Sequence, residues 1–139
     1  MITLKTLKDA TKQEVFDQVA EHLLNQNKQS LDPDKYNDIC VYRAPGGLKC
    51  AVGCLIADDE YLKEWEGKAW AIIGPNIAKD LDIDFDGEHE SLLIKLQSVH
   101  DNYEPDRWLT NLKNLAEVEK LNTKILEKHE RRLQHNSCR

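Results

Sequence analysis

Three of the four cysteines stand close together, at Cys40, Cys50 and Cys54. Thiolates bind zinc, and Cys50 and Cys54 have the spacing of a cysteine pair in a zinc site, with Cys40 as a candidate third ligand. A histidine distant in sequence would have to complete the site: His22, His89 or His100. The sequence has no second close cysteine pair, and free cysteines often pack as small apolar side chains. We therefore favour buried thiols and keep the three cysteines as weak zinc candidates.

Cys50 is also a candidate nucleophile. If a helix begins near Leu48, the Cys50 thiol lies in the first turn, where the helix dipole lowers the pKa of a cysteine. The adjacent residues His100 and Asp101 could supply a base and a carboxylate that orients it. Nothing in the sequence brings these residues to Cys50. We therefore predict no catalytic set, with Cys50, His100 and Asp101 as the alternative.

An acidic stretch resembles part of a calcium site. Asp82, Asp84 and Asp86, followed by Gly87, match the first half of an EF-hand loop. Position twelve of that loop should be a glutamate that binds the cation with both oxygens, and here it is Leu93. The alternative is a solvated turn whose carboxylates favour the N-terminus of the next helix. We favour the turn and keep the three aspartates as weak calcium candidates.

The residues around Trp65 are candidates for partner binding. Trp65 stands between Glu64 and Glu66, and Tyr61 precedes them. An exposed tryptophan surrounded by charges can anchor a protein interface. The alternative is a tryptophan that half-covers the core. The candidate binding residues are Trp65, Glu64, Glu66 and Tyr61.

Helices are the main elements that the sequence predicts to position these residues. Thr11 and Glu14 form a capping-box pattern, and apolar residues after them recur with helical spacing. Pro75 should separate an extended stretch from a short helix. The predicted helices cover residues 12–27, about 76–80, 88–102 and a region from about 106 onwards.

The segment from residue 39 to residue 57 allows two interpretations. Residues 39–43 are β-prone and end in the turn sequence Ala-Pro-Gly-Gly. Residues 48–56 could then return as the second strand of a hairpin, or they could form a buried helix. We favour the helix, because four small residues recur at the spacing of one helix face: Cys50, Gly53, Cys54 and Ala57.

These elements predict a mainly α (α+β) fold with four to five helices and a small β element near residues 39–43. With 139 residues, the chain is long enough for one domain with a core of its own. Within a single domain 1–139 we expect a lead segment 1–10, a core 12–120 and a C-terminal helix with a basic tail over 121–139. The apolar stripe of that helix continues past the predicted core, so a homodimer through it is a further prediction.

Composition narrows the class of partner. The net charge of −6 argues against a protein that binds nucleic acid through phosphate contacts. No apolar run approaches the roughly 18 residues that indicate a membrane span, and the N-terminus lacks the apolar core of a secretory signal. We therefore expect a cytoplasmic protein with reduced thiols, without a nucleic-acid or membrane partner, and no cofactor is indicated.

Several segments resemble a group of small proteins encoded by tailed phages and bacterial genomes. They are C-V-Y-R-A-P-G-G-L-K-C-A-V-G-C-L-I-A-D-D-E-Y over 40–61, Glu66-Gly67, L-Q-S-V-H-D-N over 96–102, and Trp108. The resemblance covers roughly residues 12–116. Members of the group have alanine or histidine at the position of Cys54 and proline at that of Ala57. The group has no assigned activity, so the resemblance implies a phage or prophage context and no catalytic residue.

Together these observations favour a small, soluble, non-enzymatic binding protein, phage- or prophage-encoded, that modulates or inhibits a host protein in the bacterial cytoplasm. Two alternatives remain open. One is a small cysteine-dependent enzyme with Cys50 as the nucleophile, and the other is a weak metal-binding module.

Overall fold

Five α-helices form most of the fold within the residues that the computed structural model describes, 1–34 and 40–137, with side chains up to Arg131. The helices are α1 (Lys12–Gln26), α2 (Trp70–Leu81), α3 (Gly87–Asn102), α4 (Trp108–Glu119) and α5 (Lys124–Ser137). Short 3-10 turns cover Leu4–Asp9, Pro45–Gly47, Gly53–Leu55, Lys63–Trp65 and Pro105–Arg107. The predicted mainly α (α+β) class is confirmed. The last two residues of the predicted basic tail lie outside the described residues.

The β element is a two-stranded hairpin. Strands β1 (Arg43–Ala44) and β2 (Leu48–Lys49) pair antiparallel, with Arg43 opposite Lys49. The turn between them contains Gly46 and Gly47, whose φ angles of 83° and 78° are accessible to glycine at little cost. A separate antiparallel bridge joins Leu31 to Cys40. The small β element is confirmed, although its regular part lies after residue 42, and residue 39 lies outside the described residues.

The prediction of a helix over residues 48–56 is wrong. After β2 the chain passes through tight turns and a single 3-10 turn, because other elements satisfy its backbone groups. The Val52 N–H donates to Gln97 Oε1 on α3 at 2.9 Å, and the Cys50 N–H donates to Tyr42 O at 3.4 Å. A Cβ on Gly53 would lie 2.0 Å from the Tyr42 carbonyl oxygen. The small residues therefore mark a close approach of two backbones. Their spacing in the sequence had suggested one face of a helix.

The caps of α1 and α3 explain why their predictions are confirmed. The Glu14 N–H donates to Thr11 Oγ1 at 3.1 Å, and the Thr11 N–H donates to Glu14 Oε1 at 2.9 Å. Asn27 ends α1 in the left-handed conformation, with φ 48°. Asp86 caps α3, since its Oδ1 accepts from the His89 N–H at 2.9 Å. Each cap supplies partners for backbone groups that a helix end leaves unpaired.

The prediction of a short helix after Pro75 is wrong, because α2 continues through this proline. Proline lacks the N–H that would bond the carbonyl of Ala71 one turn earlier. Ala71 and Pro75 are both exposed, so water can hydrate that carbonyl. An exposed position therefore makes the proline tolerable inside the helix.

The helices share one apolar core, with Trp65, Trp108 and Phe16 among its largest fully buried side chains. Helix α5 adds Leu126 to this core and contacts α1 and α4. The Lys128 Nζ also lies 2.6 Å from Glu21 Oε1 on α1. The homodimer prediction assumed an unpartnered stripe on this helix, and that assumption is wrong for the residues up to Arg131.

Candidate functional site

Three chemistry-bearing side chains meet where the chain around residue 40 lies against the C-terminal end of α3. Cys40, His100 and Asp101 each offer one donor atom, and these atoms lie within 4.8 Å of one another. The Cys40 side chain is half-buried, His100 is buried and Asp101 is exposed. Among the described residues, no other group of three such side chains converges in this way. The sequence suggested His100 and Asp101 as partners of Cys50, and the structure places them beside Cys40.

The segment formed by residues 29–31, which bridges to Cys40, fixes the His100 ring. The Ser30 N–H donates to His100 Nε2 at 2.9 Å, and the Val41 N–H donates to Ser30 O at 2.9 Å. The Gln29 Nε2 donates to the His100 carbonyl at 3.1 Å. These bonds and the bridge at Cys40 hold the end of α3 and this segment in one register.

The same contacts determine which nitrogen of His100 carries the proton. A backbone N–H can only donate, so the Nε2 that receives the Ser30 N–H must present its lone pair. The proton therefore lies on Nδ1, which donates to Asp101 Oδ1 at 2.6 Å. The ring also stacks on Trp108, with centroids 5.5 Å apart. His100 has no free nitrogen with which to act as a base toward Cys50.

The three thiols are held in their protonated form. Burial, with the charge and hydrogen bond of Asp101, raises the pKa of Cys40 to about 12. Burial raises the pKa of Cys54 to about 12 and places the pKa of Cys50 well above its ordinary value. The Cys50 Sγ is fully buried and accepts from the Gly53 N–H at 3.3 Å. Because the thiolate is the reactive form, the structure does not support Cys50 as a nucleophile.

The zinc set proposed from the sequence does not form. Cys50 and Cys54 belong to no converging group of metal-binding side chains among the described residues. Cys54 instead donates its thiol to the Ala51 carbonyl at 3.0 Å. Of the three cysteines, only Cys40 joins such a group, and its companions are His100 and Asp101.

A small cavity adjoins Cys40 and Asp101. Its volume is about 130 Å³, and Gln97, Tyr42 and Trp70 contribute to its walls. A water molecule occupies about 30 Å³ in the liquid, so the cavity has room for a few small ligands. The cluster of Cys40, His100 and Asp101 therefore packs against the protein on one side and borders this small cavity on the other.

The Trp65 side chain lies inside the protein and does not form an exposed anchor. The Trp65 side chain is only 1% exposed, so both interpretations of it, exposed anchor and half-buried lid, are wrong. Its Nε1 donates to Asp80 Oδ2 at 2.9 Å, and its ring meets Tyr61 edge to face with centroids 6.4 Å apart. The flanking carboxylates suggested exposure, but Lys63–Trp65 is a tight 3-10 turn that directs the indole into the core.

Glu66 is likewise occupied by contacts within the chain. Its carboxylate accepts from the Tyr42 N–H at 2.9 Å, from the Arg43 N–H at 3.1 Å and from the Tyr61 hydroxyl at 2.5 Å. Glu66 and Tyr61 therefore fix the start of the hairpin. Among the four candidate binding residues, Glu64 is the exposed one.

The acidic stretch forms helix caps. Asp82 ends α2 in the left-handed conformation, with φ 54°, and Asp86 caps the N-terminus of α3. His89 contacts Asp86 through Nδ1 and the Ala10 carbonyl through Nε2, the latter at 2.7 Å. The hydrogen bonds from His89 lower the pKa of Asp86. Within the described residues, Asp82, Asp84 and Asp86 belong to no converging group of metal-binding side chains.

Helix α2 carries an apolar surface that is not among the candidate sites predicted from the sequence. This helix buries Trp70, Ile73 and Ile77, yet Ile72 on its other side is 72% exposed. Ala71 and Pro75 are exposed beside it, and we call these three residues the α2 face. The signal is the run of apolar residues from Trp70 to Ile73, which places apolar side chains on both the buried and the exposed side of the first turn of α2. The presumed break at Pro75 hid this pattern.

The described residues thus define a small, mainly helical α+β domain with a two-stranded hairpin against its core. Comparisons with protein-family models, with curated proteins and with solved structures give no match to this chain. None of the helices in the described part of the chain combines the length and the apolarity that crossing a membrane requires.

Proposed function

We propose that this chain is a non-enzymatic binding protein that contacts a protein partner through the α2 face. The observation that carries the proposal is the exposure of Ile72 between two other exposed apolar residues, Ala71 and Pro75. Adjacent exposed apolar side chains are typical of interaction sites. The protonated thiols and the fixed tautomer of His100 support a function that does not use acid–base or nucleophilic chemistry.

The expected contribution of this face is large enough to measure. Burying an isoleucine side chain stabilises a complex by about 1.5–3 kcal/mol. This corresponds to about a 10- to 150-fold change in dissociation constant. The small Ala71 beside Ile72 would let a partner surface approach the helix closely.

The resemblance to phage- and prophage-encoded proteins supports a particular kind of partner. A small factor of this origin would act on a protein of the bacterial host, and we propose that binding modulates or inhibits that protein. The α2 face would then be the contact surface in the host cytoplasm.

Two matched variants test the proposal. Ile72→Asp places a charge on the α2 face, and Val118→Asp does the same at a residue of α4 that is 71% exposed. Both are exposed β-branched positions on helices of 12 residues, so neither change should unfold the protein. The tagged wild type and Val118→Asp should capture the same discrete protein from a bacterial lysate, and Ile72→Asp should lose it.

Equal capture by Ile72→Asp and the wild type would contradict the proposal. So would a wild-type protein that captures nothing and instead turns over a metabolite in the same lysate. Circular dichroism of both variants checks that their helix content matches that of the wild type.

A further inference from the structure

We propose that Cys40, His100 and Asp101 bind one divalent cation of the zinc type. The three side chains supply sulfur, nitrogen and oxygen, which are the donor atoms that zinc takes in proteins. Their donor atoms already lie within 4.8 Å of one another. This inference is independent of the α2 face and does not rest on the proposed protein partner.

Small shifts of the three side chains would form the site. Zinc binds these donors at about 2.0–2.3 Å, so donor atoms around a tetrahedral ion are roughly 3.3–3.7 Å apart. The His100 Nδ1 and Asp101 Oδ1 atoms, now 2.6 Å apart, would separate by about 1 Å, and donor atoms as far apart as 4.8 Å would approach by about 1–1.5 Å. The cavity of about 130 Å³ beside Cys40 and Asp101 has room for a water molecule as the fourth ligand. Three protein ligands and one exchangeable position form an open zinc site.

The charges of the site balance when the cation binds. The Cys40 thiolate and the Asp101 carboxylate carry two negative charges, and the neutral His100 ring carries none. The cation displaces the thiol proton of Cys40, which leaves to solvent. The His100 proton moves from Nδ1, the nitrogen beside Asp101, to Nε2. One proton is therefore released for each cation bound.

The contact between Ser30 and His100 opposes binding. Once Nε2 carries the proton, it can no longer accept from the Ser30 N–H, which now lies 2.9 Å away. The Ser30 N–H and the new Nε2–H would then both be buried donors without an acceptor, which lowers the affinity by about 30-fold or more. Zinc sites that fold small peptides have dissociation constants on the order of 10⁻⁷ M or lower. The expected affinity at this site is therefore on the order of micromolar or weaker.

Cobalt is the probe for the site, because a thiolate bound to Co²⁺ gives a charge-transfer absorption in the near ultraviolet. The full-length wild-type protein should show this absorption with one cobalt per chain, and Zn²⁺ should displace it. Cys40→Ser should abolish the absorption, and Asp101→Asn should weaken cobalt binding at least about tenfold, because one anionic ligand is lost. Cys54→Ser is the matched control, since it removes another partly buried thiol outside the cluster. It should bind as the wild type does.

Two measurements on the wild-type protein test the metal site if a variant folds poorly. In the wild type, zinc titration followed by ¹⁵N nuclear magnetic resonance should shift the Ser30 amide signal, whereas the Glu14 amide at the start of α1 should stay in place. Calorimetry in buffers of different ionisation enthalpy should report release of one proton per zinc.

Cys138→Ser tests whether the Cys138 thiol, which lies outside the described residues, supplies the sulfur. The proposal is overturned if the wild type shows no cobalt–thiolate absorption at millimolar cobalt, or if Cys54→Ser or Cys138→Ser abolishes it while Cys40→Ser retains it.

Discussion

A single backbone N–H decides what the His100 imidazole can do. The Ser30 N–H occupies Nε2, so the ring must donate through Nδ1 to Asp101. The adjacent residues His100 and Asp101 suggest this pairing in the sequence. The sequence gives no sign of the Ser30 contact, because it joins residues far apart along the chain. The sequence therefore indicated which residues could form a candidate site, but it did not indicate which nitrogen of His100 carries the proton.

Thiol reactivity is a prediction at the scale of single residues. Raising the pKa of Cys54 from 9.0 to about 12 lowers its thiolate fraction near neutral pH by about a thousandfold. Cys50 has a raised pKa and is also fully buried. Iodoacetamide at neutral pH should therefore modify Cys50 in the folded protein far more slowly than in urea, as measured by mass spectrometry of peptides. Rapid native labelling of Cys50 would contradict its place in the core.

Alkaline pH should destabilise the protein through the same thiols. The folded-state pKa of Cys54 is raised to about 12, so the folded chain keeps a proton that the unfolded chain loses above about pH 9. The contribution of the Cys54 thiol to the free energy of unfolding is thus fully present below pH 9 and decreases as the pH rises from 9 toward 12. Each such thiol should contribute a slope of about 1.4 kcal/mol per pH unit in that window. Urea unfolding at several pH values measures this slope.

Cys54→Ser provides the control for the alkaline slope. A serine hydroxyl can keep the hydrogen bond to the Ala51 carbonyl, and it does not ionise in this range. Its unfolding free energy should decrease less steeply above pH 9 than that of the wild type. Identical slopes for the two proteins would show that Cys54 ionises equally in both states.

At the scale of elements, Gly53 holds the hairpin region against the rest of the fold. A Cβ at this position would lie 2.0 Å from the Tyr42 carbonyl oxygen, which belongs to the backbone and cannot rotate away. Gly53→Ala should therefore lower the free energy of unfolding by about 3 kcal/mol. Chemical denaturation followed by circular dichroism measures the change.

Gly87→Ala is the matched control for this prediction. Gly87 begins α3, and a Cβ there would meet no atom within 4 Å. Because alanine favours helix more than glycine does, this change should leave stability unchanged or raise it slightly. Equal destabilisation by the two substitutions would contradict the steric explanation.

The elements that the sequence predicts well are those whose signals are local. The capping box at Thr11 and the apolar period after it specify α1, and the aspartate cap at Asp86 does so for α3. The segment after residue 48 depends on distant partners, namely Gln97 for the Val52 N–H and the Tyr42 backbone for Gly53. Spacing alone could not separate a helix face from a close approach of backbones. For α2, the expected break at Pro75 outweighed a correct apolar signal.

For the whole molecule, the burial of Trp65 and the exposure of Ile72 could not be read from their neighbours in the sequence. Trp65 has charged neighbours and is buried, whereas Ile72 lies in an apolar run and is exposed. Burial depends on how α2 and the Lys63–Trp65 turn pack against the other elements. The chain thus buries its three tryptophans and Cys50 and leaves the α2 face as one exposed apolar surface among the described helices.

Site-specific photo-crosslinking in bacterial cells tests the central claim, that the α2 face contacts a protein partner. A photoreactive phenylalanine analogue replaces Ile72 in one variant and Val118 in the other, two positions that are 72% and 71% exposed. We expect irradiation to join the chain to one discrete protein from position 72 and not from position 118. No crosslink at position 72, or the same products from both positions, would contradict the account.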